Sequence, residues 1–93
     1  MDGVYHGLVR RTGDSILDEA SAEAVRTLAK NVRRLRLRQR LTQIVLADMA
    51  GIHPRRLQKI EYGQGNTGVP VLARIASALD VPISALVDPP IKK

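Results

Sequence analysis

Residues 41–63 read LTQIVLADMAGIHPRRLQKIEYG, and the order of their polar, apolar and turn-forming residues decides the fold. Thr42 stands directly before a short apolar-rich stretch, Gln43–Ala50, where its hydroxyl can accept one of the amides that a helix leaves unpaired at its start. Gly51 ends that helix. A sharp reversal there needs a left-handed residue, which a side chain disfavours by roughly 1 kcal/mol or more. His53 then takes the cap position of a second helix, and Pro54 suits its first turn because the missing N–H has no partner to lose. Two short helices joined by a tight turn result, over residues 42–63.

The second of these, residues 54–62, has one apolar edge. Leu57 and Ile60 define the inward side, and at 100° per residue Arg55 and Lys59 project almost oppositely, one turn apart, with Gln58 beside them. Arg56 lies sideways. Glu61 falls nearer the buried edge, which is unusual for a carboxylate.

Working outward toward the N-terminus, Val25, Leu28, Ala29, Val32 and Leu35 fall within about 120° on a helical wheel, the mark of one buried face. Ser21, with Glu23 in the first turn, predicts the cap of this long helix, which runs to about residue 38 or 39. Arg36 sits inside the apolar stripe. It must either extend its stem to solvent or pair with a buried carboxylate, since an unpaired interior charge costs several kcal/mol. Glu61 is the evident partner. Leu37 points away from the stripe, for packing on the N-terminal segment or simple exposure. Ahead of Ser21, residues 14–20 suit a short acidic helix, and Gly3, Gly7 and Gly13 leave residues 1–13 as a mobile tail.

Toward the C-terminus, residues 63–68 (GQGNTG) form a turn-rich loop. Pro70 starts a fourth helix carrying Leu72, Ile75, Ala76 and Leu79, ending near Asp80. Pro82 opens a brief fifth helix with Ile83 and Leu86, and Pro89 and Pro90 close it before a basic tail, Lys92 and Lys93. The expectation is an all-α fold: an extension over 1–20, a five-helix domain over 21–88 and a tail over 89–93.

Composition narrows the function. Ninety-three residues, 44% of them hydrophobic, support one core. No segment has the roughly 18–20 apolar residues that span a bilayer, and the first nine residues lack a secretory pattern, so the chain is read as cytoplasmic. Cysteine is absent, which excludes disulfides, a thiolate zinc site and a thiol nucleophile. His6 and His53 are the only histidines and sit with no ligand cluster, so no metal and no cofactor are expected. No nucleophile has a placed base and no glycine loop cradles a phosphate, so no enzyme is expected. Residues 1–25 carry net −3 and residues 64–93 net +1, whereas residues 26–63 carry net +8, with ten bases against Asp48 and Glu61. Such a field attracts polyanions, nucleic acid or an acidic membrane surface.

Residues 32–63 closely resemble the Cro and phage-repressor type of helix-turn-helix, the XRE family, and the wider likeness covers residues 24–87. It rests on Leu41, Thr42, Gln43, Leu46, Ala47, Gly51, Leu57, Ile60, Glu61 and Gly63, and on LARIASALDVPISAL (72–86), which matches the family's LxxIAxALxV pattern. The resemblance implies a lambda-repressor-like DNA-binding domain acting as a transcriptional regulator, a repressor that binds a two-fold double-stranded DNA operator as a homodimer, with the C-terminal helices as the dimer surface. It implies base reading by Arg55 and Lys59, with Arg56 and Gln58 on the same helix. Pro54 departs from the family's usual polar residue and offers only apolar contact. Gln43 is implied to hold a phosphate and brace the reading helix; Thr42, His53, Gln64 and Asn66 lie where relatives touch phosphates. Arg36 and Glu61 match a buried ion pair.

Plainer readings stand beside these. Arg55 and Lys59 also suit a solvated helix face, and Arg56 suits phosphate or solvent as well as bases. Arg33, Arg34, Arg38 and Arg40 read as a solvated surface or as phosphate contacts. Arg10 and Arg11 suit a disordered tail or an arm entering a minor groove. A protein-interaction module, such as an antitoxin holding a toxin, would use the same fold; an outward Leu37 and the N-terminal extension support it. A membrane-surface helix does not fit, because the apolar stripe it needs is taken by the core.

Overall fold

The computed structural model describes residues 2–64 and 67–90, with side chains from Asp18 onward. Among them are five helices and no strand: α1 (Asp2–Arg38), α2 (Gln43–Ala50), α3 (Pro54–Glu61), α4 (Val69–Leu79) and α5 (Ser84–Val87). One apolar cluster joins them all, built from Leu28 and Val32 of α1, Leu46, Ala47 and Ala50 of α2, Leu57 and Ile60 of α3, Leu72, Ile75, Ala76 and Leu79 of α4, and Leu86 of α5. α2 packs chiefly on α4 and α3, while α1 lies across α3 and α5.

The helix boundaries follow from local chemistry. Thr42 is extended (φ −79°, ψ 164°) and its Oγ1 accepts the Val45 amide at 3.1 Å, the expected N-cap of α2. Gly51 is left-handed (φ 70°), and Ile52 N–H reaches back to the Ala47 carbonyl at 3.0 Å, closing the helix and turning the chain. His53 Nδ1 accepts the Arg55 amide at 3.0 Å, and Pro54 fills the first turn of α3, both as expected. Gly63 (φ 72°) follows α3 in the same left-handed region, while the reversals after α1 and α4 use side-chain-bearing residues there, Arg40 and Asp80, each at φ 59°.

The N-terminal third corrects the sequence reading. α1 is continuous from Asp2 to Arg38, so Ser21 lies inside a helix rather than capping one, and residues 2–13 and 14–20 are neither a tail nor a separate helix. The physical reason is propagation. Residues 25–35 are anchored in the core, and once that nucleus exists each added residue costs little. The first proline of the chain is Pro54, and each of Gly3, Gly7 and Gly13 costs only about 1 kcal/mol relative to alanine. At the other end, α5 begins at Ser84 rather than Pro82. Among the described residues no helix is long and apolar enough to cross a membrane.

Candidate nucleic-acid interface

α3 is held to the core by three side chains, Leu57, Ile60 and Glu61, all buried. Leu57 and Ile60 are apolar anchors at 0% and 3% exposure. Glu61 is a charged one. Its carboxylate accepts from Arg36 Nε at 2.7 Å and from Arg36 Nη2 at 2.9 Å, a bidentate pair between the ends of α1 and α3. Arg36 Nη1 donates to the Leu41 carbonyl at 2.8 Å, and Gln43 Nε2 donates to Glu61 Oε1 at 3.0 Å. The hydrogen bond to Glu61 is the main cause that raises the Arg36 pKa above the ordinary arginine value, with burial opposing it. The Arg36–Glu61 pair thus joins α1, the α1–α2 turn, α2 and α3. The partnership expected from the wheel is formed in the structure.

Gln43 is half-buried and braces α3 through Glu61. Thr42 and His53 use one side-chain acceptor each as caps, and both remain exposed. The caps also fix the edges of the turn. Gln64 is exposed, and Asn66 lies outside the described residues, as do the side chains of His6, Arg10 and Arg11.

On the opposite side of α3, Arg55, Arg56, Gln58 and Lys59 are all exposed. None of these four side chains is hydrogen-bonded or ion-paired to a described residue, and the one acid of α3 is turned away into the clamp. The face therefore presents hydrogen-bond donors and positive charge to solvent, on a short rigid helix whose back is buried. Pro54 is half-buried at its leading edge.

Sequence reasoning missed three features. Asn31 is fully buried in α1, and its amide nitrogen donates to the carbonyls of Leu86 at 2.9 Å and Asp88 at 2.8 Å, tying down α5. The available signal was its place at the edge of the apolar stripe, one turn after Leu28 and one before Leu35. Tyr62, the residue after α3, is 67% exposed and continues the outward face one turn beyond Gln58. Third, Ile44, Val45 and Met49 are exposed on α2. Leu37 is exposed too, the simpler of its two expected states.

A short helix seated by a tight turn, with its inner side clamped and its outer side free and basic, defines the class: a helix-turn-helix protein that binds DNA. Comparison with known families agrees, since the helix-turn-helix model matches residues 32–86. The chain belongs to that family, in its XRE type, and is a DNA-binding transcription regulator. Among solved structures it resembles the restriction-modification controller protein C.AhdI from Aeromonas hydrophila. That match has a TM-score of 0.65 and 27% identity, covering 67% of this chain and 94% of that one. It also resembles the hypothetical transcription factor NHTF from Neisseria, with a TM-score of 0.70 and 27% identity, covering 72% of this chain and 77% of that one. No curated protein matches the chain.

Proposed function

We propose that this regulator is a repressor that binds a two-fold operator as a homodimer, with α3 in the major groove and Arg55 and Lys59 reading base edges. The observation that carries the reading is the exposed, unpaired row Arg55, Gln58 and Lys59 on a helix whose other side is locked by Arg36 and Glu61. A reading helix must be rigid behind and unsatisfied in front, because each donor already paired within the protein would have to be released before it met a base.

Arg56, at the flank, and Thr42, Gln43, His53 and Gln64, around the start of α2 and the ends of α3, are suited to phosphates. Tyr62 joins them: its hydroxyl is a phosphate donor one turn beyond the base-reading pair. Pro54 meets the groove with apolar contact alone. The dimer surface is assigned to the C-terminal helices, where Val69 and Val87 are exposed apolar residues. Two copies related by a two-fold axis would reach half-sites about 34 Å apart.

The test is fluorescence anisotropy of the full chain against its own promoter region, competed with unrelated duplex and repeated across a salt series. Sequence-selective binding with a two-fold footprint supports the proposal. Binding that is purely salt-sensitive and blind to sequence refutes it. A second reading, a module that holds a partner protein such as a toxin, is favoured by Ile44, Val45 and Met49 on α2. Changing Arg55 and Lys59 together to alanine separates the two: loss of the cellular effect with partner binding intact points to DNA.

A further inference from the structure

The hydrogen-bonding inventory of α3 goes further than saying that it faces DNA; it selects among bases. Arg55 offers five N–H donors and no acceptor, and Lys59 offers three donors and no acceptor. The carboxylate that could have accepted from a base, Glu61, is buried and already engaged by Arg36 and Gln43. Gln58 is the one member of the outward face of α3 that combines donor and acceptor in an amide, the pattern that pairs with adenine. Pro54 contributes no hydrogen bond at all.

In the major groove only guanine presents two adjacent acceptors, O6 and N7; adenine sets a donor beside one acceptor, and cytosine presents a donor. A donor-only side chain facing cytosine or adenine N6 leaves two donors opposed and unsatisfied, whereas facing guanine it satisfies both acceptors. Arg55 and Lys59 are four residues apart, a rise of about 6 Å along α3. Base pairs stack at about 3.4 Å, so the two side chains meet positions one or two steps apart.

We infer that each operator half-site contains two guanines, on either strand, within three consecutive base pairs, one contacted by Arg55 and the other by Lys59. This rests on the major-groove reading given above. It adds the identity of the bases.

The experiment is selection of random duplexes by the full-length protein, followed by anisotropy on the winning site. The expected site has two invariant guanines within three base pairs, and changing either to adenine weakens binding roughly 5- to 150-fold. Replacing either guanine by 7-deazaguanine, which removes N7 alone, also weakens binding. R55A abolishes the preference at one of these positions and K59A at the other, with thermal unfolding unchanged because both side chains are exposed. A selective site without guanines overturns the base assignment and leaves the DNA-reading proposal standing, whereas variants that lower affinity for every sequence equally overturn base reading by Arg55 and Lys59 as well. Absence of any sequence preference overturns both.

Discussion

Removing one partner of the Arg36–Glu61 clamp is the most informative perturbation. In Glu61→Leu the guanidinium keeps only the Leu41 carbonyl, at 2.8 Å, and stays a charge in a site where the two side chains are 10% and 2% exposed. Breaking a buried pair in this way costs about 3–5 kcal/mol, because the surviving charge is left desolvated and uncompensated. Against a total of about 5–15 kcal/mol for a domain of this size, that is a large fraction. Arg36→Met strands the carboxylate instead, with Gln43 as its remaining donor, and falls in the same range. The double variant leaves no buried charge. Its cost should be well below the sum of the singles, about 1–3 kcal/mol for the unpaired Leu41 carbonyl and Gln43 amide. Urea unfolding of the four proteins gives the coupling energy directly, and because the double is the diagnostic member, unfolding of either single still leaves a result. Singles that cost under about 1 kcal/mol, or a double that equals their sum, would refute the claim that these charges depend on each other. The sign of the pH effect is also set. A raised arginine pKa adds stability that is complete below the unfolded value and is lost only as pH climbs through the folded one. For Arg36 that lies above the ordinary arginine range, so its protonation contributes no pH dependence to stability near neutrality.

Three other perturbations bear on different parts of the molecule. Asn31→Leu removes both donors to α5 and leaves the Leu86 and Asp88 carbonyls unpaired, so stability should fall by about 2–4 kcal/mol, with hydrogen exchange rising first in residues 84–88. Gly51→Ala meets only the end of Arg74, at 3.8 Å, so its cost is the left-handed backbone at φ 70°; a loss of about 1–2 kcal/mol by thermal unfolding is expected, and no loss contradicts the strain argument. Tyr62→Phe should leave the melting temperature unchanged while weakening operator binding several-fold, equally for matched and mismatched sites, since a phosphate contact carries no sequence information.

The short helices were legible because their signals are local. Thr42, Gly51, His53 and Pro54 act on their own backbone or on amides a few residues away, and the structure places each in its expected role. The buried faces were legible for a similar reason, as periodicity survives without knowing the partner. Arg36 and Glu61 stood out because ionised side chains interrupted apolar stripes, and a buried charge demands an opposite one. The N-terminus defeats the same local logic: in isolation Ser21 is a helix-starting cap and the glycines are helix-breaking signals, yet a helix already anchored at residues 25–35 extends through them.

What only the tertiary structure decided are contacts between positions far apart in the chain. Asn31 reaches carbonyls 55 and 57 residues away, which no wheel or cap rule could anticipate. The exposure of Ile44, Val45 and Met49 is likewise set by which side of α2 meets α3 and α4. By itself the sequence determined a basic helix-turn-helix and the residues on the outward side of α3, since both follow from spacing and charge. The fold determined that Gln43 is held by the same carboxylate as Arg36, because hydrogen bonding at 2.7–3.0 Å is a property of places, not of spacing.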